Sequence, residues 1–515
     1  MNGLIPRPNG ALSVGGGWFS AAALGGVHRG DFPEWTLRAF CQRAGLQLED
    51  APAEAARLSM ELDEGMGAEA YSLQVDEGGV RLVAGGCLGA VWALTSLTEL
   101  MEDGAFPFMV LTDAPKYPHR GFMLDCARHF FPLDALKRIV EHNARMKLNV
   151  FHWHLSDDQG WRIESHSLPA LHQYGGQPYY TQHQIRELVG FARDRGVEVI
   201  PEIDMPGHSI AAIAAYPHLG CTGAPVVPAT EGGIYETILC AGRQSTYDHI
   251  FALLDEVAPL FDSPFFHIGG DEAPKTQWER CPHCRAELER LGLANFEALQ
   301  GHFNLRISAH LRTLGKRPVF WNDALFTGTV PEDAVVQQWL EYPGKDARPF
   351  LSGGGSMVFS DMFRVYLDYT HAFSGLRHAY EYAPSLMGED VSAHPGCLGL
   401  QACLWSERVQ DVDNLHQRIY PRLFAVAEAA WTHQRDYPDF EARLARKLAG
   451  FPLGFYPLAQ ANPQGEARLT EIFTFLSRFK EAAAAGTAPA ITPQLVAQFL
   501  TGFDITLPDG FALPF

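Results

Sequence analysis

At 515 residues the chain is too long for one small domain and long enough for a large barrel with flanking units. A hydrophobic fraction of 47% with 19% charged residues is that of an ordinary soluble globular protein. The net charge of −20 argues against nucleic acid or an anionic membrane as partner, because both require clustered lysine and arginine.

The start, MNGLIPRPNGALSVGGGW, has neither a basic segment nor a continuous apolar core, so it does not read as a secretory signal. No stretch approaches the ~18 uninterrupted apolar residues of a membrane span. Nine scattered cysteines suit free thiols in a reducing compartment, and a cytoplasmic location is the expectation. Cys281 and Cys284, in CPHC, have metal-ligand spacing. No second CxxC accompanies them, so they read as helix-start cysteines, and neither metal nor cofactor is expected.

Residues 1–115 are expected to form an N-terminal α+β domain. SLQVDEGGVRLVAG (72–85) reads as two strands around a Glu-Gly-Gly turn, and LGAVWALTSLTELME (88–102) as a helix behind them. TDAPKYPHR (112–120) is a proline-bearing connector.

From Arg120 onward, short apolar runs alternate with segments of helical period. The runs are GFMLDCA (121–127), LNVFHWHL (148–155), VEVIPEID (197–204), FFHIGGDE (265–272), RPVFWND (317–323), AVVQQW (334–339), SMVFSD (356–361) and LGLQACLW (398–405). Continuous rather than alternating apolar character suits parallel strands buried on both faces. Between the second and third runs, Thr181 and Gln184 have capping-box spacing, and Gly196 closes the helix they open. Eight strand–helix units predict a (β/α)8 TIM barrel over 116–435. Residues 436–515 read as a helical C-terminal region, with AAAAGTAPA (482–490) as a loop or helix end.

Side chains at the C-terminal ends of barrel strands line the pocket of such a fold. Here nearly every strand ends on a polar or aromatic residue, among them Asp125, Asp157, Asp204, Asp323 and Asp361. The fourth run ends HIGGDE, with Asp271 and Glu272 adjacent. Successive side chains diverge, so such a pair can address two atoms of one ligand, with proton affinities pushed apart by repulsion and burial.

HIGGDE, with HRGFMLDCARHF (119–130), NVFHWHLSDDQGWRIE (149–164), EIDMPGH (202–208), VFWND (319–323), QQW (337–339), YLD (366–368) and ACLWSE (402–407), resembles the glycoside hydrolase family 20 β-N-acetylhexosaminidases. The ordered motifs span roughly residues 72 to 432. The resemblance implies a retaining exo-hydrolase acting on carbohydrate with a terminal β-linked N-acetylhexosamine, with no nucleic acid or membrane partner. Glu272 would be the general acid, and Asp271 would accept the N–H of the substrate's 2-acetamido group, whose carbonyl oxygen is the nucleophile. That substrate-assisted route is an exception to the two-carboxylate rule. By the same resemblance, Trp321, Trp339 and Trp405 would wall the acetamido group and sugar face, and Tyr366 would donate to the acetamido oxygen. Arg120, Asp368 and Glu407 would bind the sugar hydroxyls, while Asp157 and His208 would form a relay acting on Glu272. His152 and His154 read as strand-packing residues.

Two rival readings differ in class. A metal-dependent hydrolase built from HWH, His208 and Asp271 leaves the three tryptophans and Arg120 without a role. A sugar-binding protein with a dead site is at odds with intact Asp271, Glu272 and Tyr366. Loops such as 220–237 would choose the aglycone; the sequence names neither that group nor an oligomeric state.

Overall fold

A computed structural model describes residues 3–463 apart from 343, together with 468, 470, 474 and 477. The AAAAGTAPA stretch and most of the expected C-terminal region lie outside the described residues.

The N-terminal part is one sheet of seven strands: β1 (Leu12–Ser20), β2 (Gly26–His28), β3 (Glu49–Asp50), β4 (Leu58–Leu62), β5 (Tyr71–Asp76), β6 (Gly79–Ala84) and β7 (Ala105–Asp113). Their order is β1-β7-β5-β6-β4-β2-β3. The predicted hairpin is β5 and β6, paired antiparallel from Tyr71↔Ala84 to Asp76↔Gly79. Its turn is fixed by the Asp76 carboxylate, which accepts from the Gly78 N–H at 2.7 Å. The helix Cys87–Glu99 follows as expected and is buried along most of its length.

Eight parallel strands then close a barrel, with helices between most of them: β8 (His119–Asp125), β9 (Val150–His154), β10 (Glu198–Glu202), β11 (Phe265–His267), β12 (Arg317–Trp321), β13 (Val335–Gln338), β14 (Ser356–Phe359) and, after a small hairpin of β15 (Ser385–Leu386) and β16 (Glu389–Asp390), β17 (Cys397–Leu404). Every residue of β9 and β13 is buried, which is why these strands read as unbroken runs. The capping box forms: the Thr181 hydroxyl accepts from the Gln184 N–H at 3.2 Å, and the Gln184 carbonyl oxygen accepts from the Thr181 N–H at 2.9 Å. The helix Gln182–Arg193 buries Ile185, Leu188, Val189 and Ala192 in the barrel's outer core.

Register sets what the barrel presents. Asp125 pairs with His154, His154 with Glu202, and Glu202 with His267, so four polar residues stand in one row at the strands' C-terminal ends. Among the described residues, no helix is long and apolar enough to cross a membrane.

Arg120 is not in that row, which corrects its expected place. It is the second residue of β8, at the end facing the N-terminal sheet, and is fully buried. Its guanidinium donates to both Glu69 carboxylate oxygens, at 3.0 and 2.5 Å, and to the backbone carbonyls of Lys147 and Tyr117. It also lies over the Trp431 ring, 4.9 Å from the centroid. Nearby, the Lys147 ammonium donates to Asp113 at 3.0 Å, which also accepts from the Trp431 indole. Arg120 therefore fastens the sheet domain to the bottom of the barrel. Arg120→Ala leaves Glu69 half of a buried pair, an expected loss of about 3–5 kcal/mol of stability. Thermal melting checks this.

Candidate active site

The site is built around the end of β11. That strand is only three residues long, and Ile268-Gly269-Gly270 carries the chain to Asp271. Gly269 and Gly270 have φ of +66° and +94°. A Cβ on Gly269 would fall 1.6 Å from Asp204 Oδ1, so close approach as well as conformation demands glycine. Glu272 and His208 also occupy the left-handed region, at φ +43° and +50°. Non-glycine residues stay there only where their surroundings hold them.

The adjacent acids have different environments. Asp271 is buried, and its Oδ1 has no hydrogen-bond partner. Burial pushes its carboxyl well above the usual range, Asp204 adds to this and His208 opposes it. The Glu272 side chain is 29% exposed, open to whatever enters the pocket.

His208 faces both, its Nε2 lying 3.7 Å from Asp271 Oδ2 and 3.6 Å from Glu272 Oε2. Its Nδ1 lies 3.1 Å from Asp157 Oδ1. Burial alone would lower the imidazole's proton affinity. The Asp157 charge and its hydrogen bond, with the Asp158 and Glu272 carboxylates close by, override it and raise His208 well above its ordinary value. Asp157 Oδ2 in turn meets His154 Nε2 at 3.0 Å, and His154 Nδ1 bonds Glu202. Glu202 also lies 3.0 Å from His152 Nε2 and 2.9 Å from His267 Nδ1. His152 and His154 are thus more than packing: they ring a buried carboxylate, and His154 extends the relay behind Asp157. The signal was the HWH spacing, which puts both imidazoles on one strand face. This histidine ring and the His208–Asp271–Glu272 group are separate clusters, so the single metal site of the rival reading is not assembled.

Four aromatic rings pack together at the strand ends. Trp321 and Trp405 have centroids 5.8 Å apart, and Tyr366 lies 6.3 Å from both Trp405 and Trp339. Polar edges fix the indoles: Trp321 Nε1 donates to Glu202 at 2.8 Å and Trp339 Nε1 to Asp323 at 2.9 Å. Tyr342, which the sequence did not single out, donates its hydroxyl to Asp323 at 2.8 Å. Tyr366 and Asp368 come from the loop beyond β14, which reaches the site because Tyr366 bridges to Cys403 of β17.

The cation at the site is Arg128, past the end of β8. Its Nη2 lies 2.7 Å from Asp157, its Nη1 3.3 Å from Asp125, and its guanidinium sits 5.1 Å above the Trp405 ring. Glu407 Oε1 is 4.0 Å away. Asp368 is pushed up to about 7 by burial and by the neighbouring Glu407 charge, and its Oδ1 is buried without a partner. The structure therefore gathers Asp271, Glu272, Asp157, His208, Tyr366, Trp321, Trp339, Trp405, Asp368 and Glu407 at the C-terminal end of the barrel, with Arg128 rather than Arg120 beside them.

Residues 117–434 match the family profile described as glycosyl hydrolase family 20, catalytic domain, and residues 3–114 match domain 2 of the same family. A β-hexosaminidase of Vibrio furnissii is 37% identical over 407 residues, covering 72% of this chain and 66% of that one. A β-hexosaminidase of Porphyromonas gingivalis is 35% identical over 410 residues, covering 73% of this chain; the chain spans about half, 52%, of that relative's length. The crystal structure of a β-N-acetylhexosaminidase from Bacteroides fragilis superposes with a TM-score of 0.81 at 28% identity, covering 90% of this chain and 99% of that one. An exo-β-N-acetylglucosaminidase of Vibrio harveyi, solved with N-acetylglucosamine, gives a TM-score of 0.76 at 31% identity, covering 88% and 78%. With its catalytic-domain match covering more than half of the sequence, this chain belongs to glycosyl hydrolase family 20.

Proposed function

We propose that the chain is a retaining exo-β-N-acetylhexosaminidase that removes terminal N-acetylglucosamine or N-acetylgalactosamine with the substrate's own acetamido group as nucleophile. The observation that carries this is the unpartnered Oδ1 of buried Asp271 beside the open carboxyl of Glu272. A buried acceptor without a donor costs on the order of 1–3 kcal/mol, and an amide N–H from a ligand removes that cost.

In the first step Glu272 gives its proton to the glycosidic oxygen while the acetamido carbonyl oxygen attacks C1, forming an oxazolinium ring and releasing the aglycone. Asp271 accepts the amide N–H and stabilises the charge that grows on nitrogen. Tyr366 donates to the acetamido oxygen, and Trp321, Trp339 and Trp405 exclude water around it. The Asp157–His208 pair places positive charge beside the Glu272 carboxylate as its proton leaves. In the second step Glu272 takes a proton from water, which opens the oxazolinium with net retention. Neither carboxylate has to reach C1 from the opposite ring face, which is why the two acids can be neighbours.

The test is a pair of 4-nitrophenyl β-glycosides. The N-acetylglucosaminide should be turned over, and the glucoside, lacking the nucleophile, should be slower by about 10⁵ on effective-molarity grounds. Comparable rates would reject substrate assistance, and inertness toward both would favour the sugar-binding reading.

Arg128, Asp368 and Glu407 bind the hydroxyls of the terminal sugar. Arg128→Ala should raise KM and lower kcat/KM about 10²-fold or more, since a desolvated charged contact to a polar ligand is lost. Arg120→Ala, judged on the folded fraction, should leave KM within about twofold, because surface and core sites distant from a pocket act through stability. Equal KM effects from both would reject the assignment of Arg128.

A further inference from the structure

We propose that Cys221, Cys240, Cys281 and Cys284 form a tetrathiolate site for one zinc ion, and that this ion fastens the base of the loop lying against the sugar pocket. The sequence showed one CxxC pair without a second. The fold supplies the missing two ligands from a distant segment.

All four sulfurs are buried and lie within 4.8 Å of one another. Cys221 to Cys284 is 3.8 Å, Cys240 to Cys281 is 3.9 Å and Cys240 to Cys284 is 3.6 Å. A disulfide needs about 2.05 Å. A tetrahedron of thiolates about 2.3 Å from zinc has edges of about 3.8 Å. The spacings fit the second arrangement, and all four residues are free cysteines.

The surroundings are built for it. Cys281 caps the helix Pro282–Arg290 and Cys284 lies in its first turn, so one pair of ligands is set by a single turn. Cys221 and Cys240 are brought together by the bridge between Gly220 and Leu239. Gly242 packs so closely on the CPHC turn that a Cβ there would fall 2.3 Å from the Cys284 nitrogen. Four thiolates around zinc carry excess negative charge, and Arg243 supplies a cation at the cluster. Its Nη2 donates to the Cys221 carbonyl at 3.2 Å, and its Nε is buried without a partner. Binding exchanges the thiol protons, released to solvent, for one Zn²⁺, with no change of oxidation state.

The segment between Cys221 and Cys240 is the loop expected to choose the aglycone. Within it, the Ala229 N–H donates to the Asp158 carbonyl at 2.9 Å, and the Glu231 carbonyl accepts from Gln159 at 2.7 Å. A Cβ on Gly232 would meet the Glu407 side chain at 3.5 Å. The other two ligands begin the helix just after the one that follows Glu272, whose Trp278 donates to the Leu239 carbonyl at 2.8 Å. The ion therefore ties both ends of the loop to the segment that carries the acid. This last consequence rests on the proposed hydrolase; the metal site does not.

The test is elemental analysis of the full chain purified without chelator. About one zinc per chain is expected, released by a mercurial thiol reagent, and a cobalt-loaded sample should show the strong visible bands of tetrahedral thiolate coordination. Cys240→Ser and Cys284→Ser should lose the zinc, whereas Cys41→Ser should keep it. Metal-free chain should melt earlier and show a larger rise in KM for oligosaccharides than for the aryl glycoside. Absence of zinc from the wild type, iron in its place, four fewer titratable thiols in the denatured unreduced chain, or zinc retained in both serine variants would overturn the proposal. Zinc content and the cobalt spectrum of the wild type decide it even if the serine variants fail to fold.

Discussion

Asp271→Ala is expected to lower kcat by about 10²–10³-fold, the loss typical of removing one group that stabilises charge formed in the transition state. The same variant should bind a thiazoline mimic of the oxazolinium ring far more weakly than the wild type, because such mimics draw on transition-state contacts. Stability should move the other way. The Asp271 carboxyl is buried, pushed up by burial and Asp204, and leaves Oδ1 unpartnered. Removing it takes an uncompensated polar group out of the free enzyme, so melting should be unchanged or raised. A variant that loses turnover while keeping its melting temperature separates a functional carboxylate from a structural one. Near-normal kcat in Asp271→Ala would sink the substrate-assisted mechanism, whatever its effect on KM.

The barrel was legible because its strands are buried on both faces. A run such as VFHWH or VVQQ has no exposed positions to interrupt it. The N-terminal sheet was legible only where a two-residue turn and a helical period marked it, at β5, β6 and the helix behind them. The strand β1 carries three glycines, β3 is two residues long and β7 contains a proline, so none offers a pattern. The misplaced arginine is instructive. HRGFMLDCARHF contains Arg120 and Arg128; Arg120 is the second residue of β8 and Arg128 lies past its end, so most of the strand, about 17 Å, separates them. Chain direction decides which lies at the pocket, since only the C-terminal end of a barrel strand faces it. Cys221 and Cys240 lie far along the chain from CPHC, and only the fold brings them there. The same holds for Tyr342 beneath Asp323.

Glu272→Gln should show a loss that depends on the leaving group. With an oligosaccharide, whose departing alkoxide needs a proton, removing the general acid should cost about 10²–10⁴-fold in kcat. With a 2,4-dinitrophenyl glycoside the phenolate leaves without help, so the first step should be little affected. The second step would then limit turnover, because the Glu272 carboxylate that activates water is gone, and a burst of phenolate should precede a slow steady state. Azide, an anion that needs no base, should restore turnover and yield the β-glycosyl azide, retention being set by the acetamido ring on the opposite face. The position of Glu272 fits this double duty: it is open to the pocket, held in a left-handed conformation and faced by His208 at 3.6 Å. A loss of equal size for every leaving group, with no azide rescue, would show that Glu272 carries no proton in either step and that the acid must be sought elsewhere in the pocket.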